Sequence, residues 1–212
     1  MKHHCGALIT MMTTLFQIIS GILVALFLYY GMDVRRKDGA RDFVAPAWQR
    51  AMKLCSLLLV GAFFWITLST RQVSMGDWLD LSFMISGTAF VAAAKRELGR
   101  AHTFTGQFLE NPRLVTTGIY AMTRNPLYFG ILQCEVGAAL FVVRQGPILL
   151  PQSHPYGLGV LSVALLYAVL FNWSMAVHEA RYLQRYFGEE YRRYSTDVPF
   201  VFPWLRLKKE TK

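Results

Sequence analysis

The sequence predicts an all-α polytopic membrane protein with about five transmembrane helices. Hydrophobic residues make up 54 % of its 212 residues, and the mean hydropathy is positive. This leaves too little polar surface to cover a soluble domain. The apolar residues also form five separate stretches, and the basic residues are concentrated in alternate polar segments between them.

The first apolar stretch, residues 8–30, contains no charged side chain over 23 residues. A helix of that length crosses a hydrocarbon core of about 30 Å. Its length and the basic cluster that follows it favour an uncleaved span over a secretory signal. The remaining predicted spans are residues 54–70, 78–94, 127–143 and 156–177.

The basic residues predict the orientation of these spans. Six Lys and Arg lie between the first two spans, five between the third and fourth, and eight after the last, whereas the other three polar segments hold one each. The positive-inside rule then places the C-terminus in the cytoplasm and the N-terminus on the other side. The membrane would be the endoplasmic reticulum in a eukaryote and the inner membrane in a bacterium. Because these charges flank apolar spans, they do not predict nucleic-acid binding despite the net charge of +9.

Polar residues with possible functional roles are concentrated where the fourth span begins. The segment 95–124 is too long for a simple turn and too aromatic for disorder, so we expect it to fold over a site. Pro126 suits the first helical turn and Asn125 the N-cap position. Asn125, Tyr128 and Glu135 then lie on one helix face. A carboxyl group within an apolar span is costly and often functional, although a structural partner would also account for it.

The last span repeats this pattern at its cytoplasmic end. One face carries an amide, a carboxylate and phenols, with His178 beside it, and Gly188 is expected to end the helix. The residues of that face are Asn172, Met175, Glu179, Tyr182 and Tyr186. The scattered histidines and three unpaired cysteines predict no metal site. Since GxGxxG, P-loop, GxSxG and HExxH motifs are all absent, any cofactor must be bound in another way.

Two blocks of this sequence resemble a known family. They are LVTTGIYAMTRNPLYFG at residues 114–130 and EARYLQRYFGEEYRRYSTDVPFVFP at residues 179–203. Together they are similar to the isoprenylcysteine carboxyl methyltransferases and their phospholipid methyltransferase relatives. The resemblance covers about the C-terminal half of the chain, from residue 95 onward. We expect the whole chain, residues 1–212, to form a single membrane domain.

The resemblance implies a methyltransferase that uses S-adenosylmethionine. Its cytoplasmic cofactor pocket would be formed by loop 95–125, the ends of the last two spans and the C-terminal tail. The implied cofactor-binding residues are Pro112, Arg113, Leu114, Val115, Gly118, Tyr120, Asn125, Pro126, Leu127, Tyr128 and Glu179, with Thr105 or Gln107 near the nucleoside. The implied catalytic residues are Arg124, Glu179 and His178. Contacts with the acceptor are expected from Met175, Glu135 and Tyr182.

One departure from the family pattern concerns the methyl acceptor. The carboxyl methyltransferases carry an arginine, one helical turn before the glutamate, that holds the substrate carboxylate, and Met175 occupies that position here. A thioether cannot attract an anion, so besides a prenylated cysteine the acceptor can be a lipid alcohol, phenol, amine or thiol. His178 or Glu179 is then a candidate base. The expected partners are this lipophilic substrate and membrane lipids.

Two other functions remain open from the sequence. Membrane sterol and steroid reductases also carry an Arg-His-Pro-x-Tyr corner and bind NADPH, but they are usually longer and have more spans. A non-catalytic scaffold or small transporter is the other alternative. The clustering of polar residues at one membrane face, rather than at the midplane, argues against a transporter.

Overall fold

The protein is helical almost throughout. A computed structural model describes residues 2–31, 40–99, 107–149 and 155–203. The helices in these ranges are α1 (Lys2–Gly31), α2 (Pro46–Ser69), α3 (Met75–Leu98), α4 (Pro126–Leu149), α5 (Pro155–Phe187) and α6 (Glu189–Asp197). The predicted all-α polytopic fold is therefore confirmed, and each predicted span lies largely within one of the first five helices.

Four of these helices are long and apolar enough to cross a membrane. The qualifying segments are Gly6–Gly31, Pro46–Ser69, Pro126–Pro147 and Gly159–Phe187. Helix α3, which contains the third predicted span, is as long as α2, at 24 residues, but is less apolar than these four.

Helix α3 packs closely against α4 through glycines. A Cβ atom added at Gly87 would lie 2.5 Å from the Gly130 carbonyl oxygen, and one added at Gly137 would lie 2.6 Å from the Asp80 carbonyl oxygen. Only a residue without a side chain allows the two backbones to approach this closely, as in other helix pairs within membranes. The less apolar α3 is thereby held against the start of α4.

Acidic residues at the start of α3 are paired with the end of α4. Ser74 and Asp77 form a capping box at the N-terminus of α3. The Arg144 guanidinium lies 3.4 Å from Asp77 and 3.2 Å from Asp80, and Gln145 donates to Asp77 at 2.9 Å. This network explains how a predicted span can contain Asp80.

Two short strands, which the sequence did not predict, pair the segment before α2 with the segment after α3. Strand β1 (Ala40–Asp42) pairs antiparallel with β2 (Gln107–Leu109). The pair is strengthened by an ion pair between Arg41 and Glu110 and by a 2.9 Å hydrogen bond from Gln107 to Asp42. This ribbon lies at the same end of the bundle as the start of α4.

The C-terminal end of the chain folds back over the bundle. Helix α5 is longer than predicted, and ends where Gly188 adopts a left-handed conformation with φ of 54°, as expected of an interrupting glycine. After α6, Phe200 contacts a buried cluster of α2, α4 and α5 residues. The members of this cluster are Met52, Tyr128, Ala168, Phe171, Met175 and Ala176.

Candidate functional site

The corner before α4 binds the C-terminal tail. Thr123, Arg124 and Asn125 each donate one hydrogen bond to a carbonyl of residues 199–201, at 2.8, 2.9 and 2.8 Å. Thr123 and Asn125 are buried. The polar corner that stood out in the sequence therefore holds the tail in place, and Pro126 begins α4 as predicted.

The side chain of Arg124 lies between two aromatic rings. Its guanidinium carbon is 5.9 Å from the ring centre of Tyr191 in α6 and 5.4 Å from that of Phe200 in the tail. Both separations are within the range of cation–π attraction. Its Nε atom is buried and lacks a hydrogen-bond partner within the part of the chain that the structure describes.

Arg124 contributes to the wall of a pocket of about 70 Å³ at this end of the bundle. The wall combines the segment after β2, the turn at Gly118–Ala121, the first turn of α4, the end of α5 and helix α6. The predicted site residues in the wall are Gln107, Pro112, Arg113, Leu114, Val115, Tyr120, Arg124, Leu127, Tyr128, Glu179 and Tyr182.

Glu179 is the carboxylate of this pocket. It faces the phenol of Tyr128 across the pocket, so side chains of α4 and α5 meet at the pocket wall. Burial raises the pKa of the Tyr120 phenol well above its usual value, and the nearby Glu179 raises it further. Tyr120 is therefore a neutral phenol at physiological pH. Its backbone carbonyl accepts a 2.6 Å hydrogen bond from Tyr194 of α6.

Tyr182 and Gln107 connect the strand pair with α5. The Tyr182 hydroxyl donates to the Leu109 carbonyl at 2.8 Å, and its ring centre is 4.5 Å from that of Phe108. The Gln107 amide is already bonded to Asp42. Both residues thus line the pocket and also fix the strand pair at its rim.

Gly118 lies outside the pocket wall and has a backbone role. It begins the 3-10 turn Gly118–Ala121 with φ of 58°, and a Cβ there would lie 2.0 Å from the Glu97 carboxylate. That carboxylate accepts a hydrogen bond of 2.9 Å from the Ile119 amide. Glycine is needed here because it adopts a positive φ without strain and leaves room for the Glu97 carboxylate.

Three other predicted residues lie elsewhere. His178 is exposed, with its Nδ1 atom 2.7 Å from the Ser174 carbonyl one turn earlier. Met175 is only 2 % exposed, within the cluster that contains Tyr128. Glu135 lines a separate cavity and is bonded to Asn172 at 2.9 Å. Thr105 lies outside the described residues.

Several residues of the site were not predicted. Glu97 supports the turn beneath Tyr120, and no local pattern in the sequence indicates that contact. Tyr191 and Tyr194, in contrast, are three residues apart in α6 and so share one face, a spacing that could have predicted their joint packing. The pocket wall also includes Leu98, Phe108, Leu109, Leu183, Tyr191 and Tyr194.

The pocket combines a cation, a carboxylate and aromatic rings at the end of membrane helices. These groups suit an organic ligand that carries both charges. Among the described residues, no group of three or more His, Cys, Asp or Glu side chains is arranged to hold a metal ion.

Comparison with known proteins identifies the family. The family model described as phospholipid methyltransferase matches residues 75–190, from the start of α3 through α4 and α5 to the start of α6. Neither the curated proteins nor the solved structures give a significant match. With more than half of its length matched, this chain belongs to the phospholipid methyltransferase family of membrane methyltransferases, which act on lipid-like substrates.

Proposed function

We propose that this protein transfers a methyl group from S-adenosylmethionine to a lipophilic acceptor at the membrane. The observation that carries the proposal is the joint placement of Arg124, Glu179 and Tyr128 around one pocket at the end of α4 and α5. Methyl transfer is also the activity of the family. This favours it over the NADPH-dependent reductase and the non-catalytic alternatives.

The charged groups of the pocket suit the amino-acid end of this cofactor. Arg124 has a buried, unpartnered Nε donor among the described residues, suitable for a carboxylate, and Glu179 can accept from an ammonium group. The faces of Tyr120 and Tyr128 can stabilise a sulfonium. The volume of 70 Å³ is small for a complete cofactor, so the nucleoside would extend past Gln107 at the rim, and we keep Thr105 as a further proposed contact with it.

Further contacts with the cofactor are proposed for the chain on either side of the corner. Pro112, Arg113, Leu114 and Val115 would line it from one side and Leu127 from the other. Gly118 and Pro126 would act through the backbone, by shaping the turn and the start of α4, and Asn125 would act by holding the tail with its side-chain amide.

The bound cofactor supplies an electrophilic methyl group. The protein must then align the acceptor atom with that methyl group and exclude water. We assign the role of general base to Glu179, because it lines the pocket. His178 instead contacts Ser174 on its own helix. A proton released by the acceptor would move to the Glu179 carboxylate.

The acceptor would approach from the bilayer along α5. Met175, Tyr182 and Glu135 are the proposed contacts with the acceptor. A buried methionine at 175 favours a neutral lipid group over the carboxylate of an isoprenylcysteine, because a thioether cannot balance an anion. We place the site in the cytoplasm, where the excess of basic residues predicts the C-terminus.

Two measurements test the proposal on purified protein in nanodiscs. S-adenosylhomocysteine should raise the melting temperature and NADPH should not, because only a ligand of the native state stabilises it. Labelled S-adenosylmethionine should then transfer its methyl group into a total lipid extract, a prenylcysteine analogue or a phenolic quinol. Stabilisation by NADPH alone would instead support the reductase, and stabilisation by neither ligand the non-catalytic alternative.

A further inference from the structure

An open groove rich in arginine lies where α5 meets α6. It has a volume of about 360 Å³. Its lining residues, all exposed, are Arg181, Gln184, Arg185, Gly188, Glu189 and Arg192. Gly188, with φ of 54°, turns the chain between the two helices, so Arg192 of α6 lies in the same groove as two arginines of α5.

The positive charge of this groove is only partly balanced. Glu189 is the one carboxylate in its lining, and it pairs with Arg192 at 2.9 Å. Neither Arg181 nor Arg185 forms an ion pair within the part of the chain that the structure describes. These two are four residues apart on one helix face, about 6 Å along the axis, where like charges repel each other. An anion bound between them would relieve that repulsion and accept hydrogen bonds from both.

The groove continues an exposed apolar strip of α5. Leu170 and Val163 are exposed, and they precede Arg181 by 11 and 18 residues, which is close to three and five whole turns. All three therefore lie on one face of a helix that is long and apolar enough to cross a membrane. Leu170 is about 16 Å from Arg181 along the axis, roughly half of a hydrocarbon core of about 30 Å. An acyl chain lying on this strip would bring its headgroup to the groove.

We propose that this groove binds the phosphate group of an anionic phospholipid whose acyl chains lie along the exposed face of α5. The guanidinium groups of Arg181 and Arg185 donate hydrogen bonds to the phosphate oxygens, a geometry that suits arginine. Arg192 adds a third positive charge. In the predicted orientation, the lipid belongs to the leaflet that faces the cytoplasm.

This lipid site is separate from the pocket around Glu179. The groove and the pocket have no lining residue in common. Arg181 follows Glu179 by two residues, so the two side chains leave α5 about 200° apart. The bound lipid is therefore not the methyl acceptor, and the inference does not depend on the proposed function.

An anionic phospholipid fits the groove better than other phosphates. Phosphatidylcholine carries a quaternary ammonium next to its phosphate, and the arginines would repel that group. A soluble phosphate has the required charge but gains no contact with the apolar strip above the groove. An anionic phospholipid satisfies the arginines and the strip together.

The test is a competition between two lipids that differ in headgroup charge. The whole chain is purified in nanodiscs that contain phosphatidylglycerol and phosphatidylcholine with the same acyl chains, in equal amounts. The retained lipid is measured by native mass spectrometry. Wild-type protein should retain phosphatidylglycerol with about tenfold preference, as an added hydrogen bond between charged groups provides.

Matched variants separate the groove from general attraction to a negative surface. Arg181→Gln combined with Arg185→Gln should bring the preference close to unity, because the remaining Arg192 is already paired with Glu189. Arg50→Gln combined with Arg193→Gln removes the same charge at exposed positions outside the groove, and should retain the preference. Equal retention of both lipids by the wild type, or an equal loss of preference in both double variants, overturns the proposal.

A further arm distinguishes a lipid from a soluble anion. The wild type is incubated with excess inorganic phosphate, or with chloride at the same ionic strength, before the retained lipid is measured. Neither salt should displace phosphatidylglycerol more than the other. Selective displacement by phosphate would assign the groove to a soluble anion and overturn the lipid assignment. Melting temperatures of the same samples verify that both double variants are folded.

Discussion

The side-chain amide of Asn125 donates a hydrogen bond of 2.8 Å to the backbone carbonyl of Phe200, a residue 75 positions later in the chain. The ring of Phe200 in turn lies against the guanidinium of Arg124. The start of α4 and the C-terminal tail therefore form one unit beside the pocket, so changes at residue 125 should affect ligand binding without direct contact.

Replacing Asn125 should weaken cofactor binding by loosening the tail. Asn125→Ala removes this donor to the Phe200 carbonyl, a hydrogen bond worth about 0.5–1.5 kcal/mol. We expect a lower melting temperature and at least a fivefold higher dissociation constant for S-adenosylhomocysteine, measured by calorimetry. Asn125→Asp keeps the size but cannot donate, so it should behave in the same way. Wild-type affinity in Asn125→Asp would show that the tail contact does not support the pocket.

The charge of Glu179 should be needed for cofactor binding. Glu179→Gln keeps the size and a polar oxygen in the pocket, but it cannot neutralise an ammonium group. Loss of a charge-assisted hydrogen bond predicts at least tenfold weaker binding and loss of methyl transfer. Gln184→Ala, an exposed change on the same helix, serves as the control. A Glu179→Gln enzyme with both normal binding and full turnover would remove this role.

The two candidate bases can also be distinguished by substitution. His178→Gln should retain cofactor binding and turnover, because the imidazole faces Ser174 rather than the pocket. Turnover is measured with saturating cofactor, so that a change in the chemical step is separated from a change in affinity. Loss of turnover with unchanged binding would transfer the base assignment to His178.

Gly118→Ala should destabilise the protein. The new Cβ would lie 2.0 Å from the Glu97 carboxylate, and the residue would retain an unfavourable φ of 58°. The strain alone amounts to about 1–3 kcal/mol, so the melting temperature should fall by about 2 °C or more. The control is Gly61→Ala in α2, where a Cβ meets nothing within 4 Å. An unchanged melting temperature in Gly118→Ala would contradict the assigned backbone role.

Arg144→Met should destabilise the packing of α3 on α4. It leaves the fully buried Asp77 and the nearby Asp80 without their shared cation. Breaking a buried ion pair costs about 3–5 kcal/mol, and we expect less here because Arg144 is partly exposed. Denaturation in detergent measures the effect. Adding Asp77→Asn and Asp80→Asn should recover part of the loss, and no recovery would argue that Arg144 contributes through packing alone.

Much of the fold could be predicted because it depends on local properties of the chain. Pro126 begins α4 and Gly188 ends α5, since each has a restricted or unusual backbone preference. The strand pair escaped prediction because its strands have three residues each and lie 65 or more positions apart. The third span was harder to define, since Asp77 and Asp80 are tolerated through their contacts with Arg144.

For the site, the sequence was informative about residue types but less so about contacts. Glu179, Tyr128 and Tyr120 line one pocket, and their role in cofactor binding stays a prediction. Asn125 and Gly118 instead contact Phe200 and Glu97. Nothing in the local pattern distinguishes an asparagine that binds a ligand from one that binds a distant carbonyl.

By itself the sequence determined a helical membrane protein, the position of its polar corner and the residue types available for methyl transfer. These follow from hydrophobicity, chain length and backbone preference, which act within a few turns of helix. Only the tertiary structure decided that the corner holds the C-terminal tail, that Arg124 lies between two rings, and that Glu135 borders a separate cavity. Those relationships depend on how side chains from distant segments pack together, and that information is not contained in any one segment.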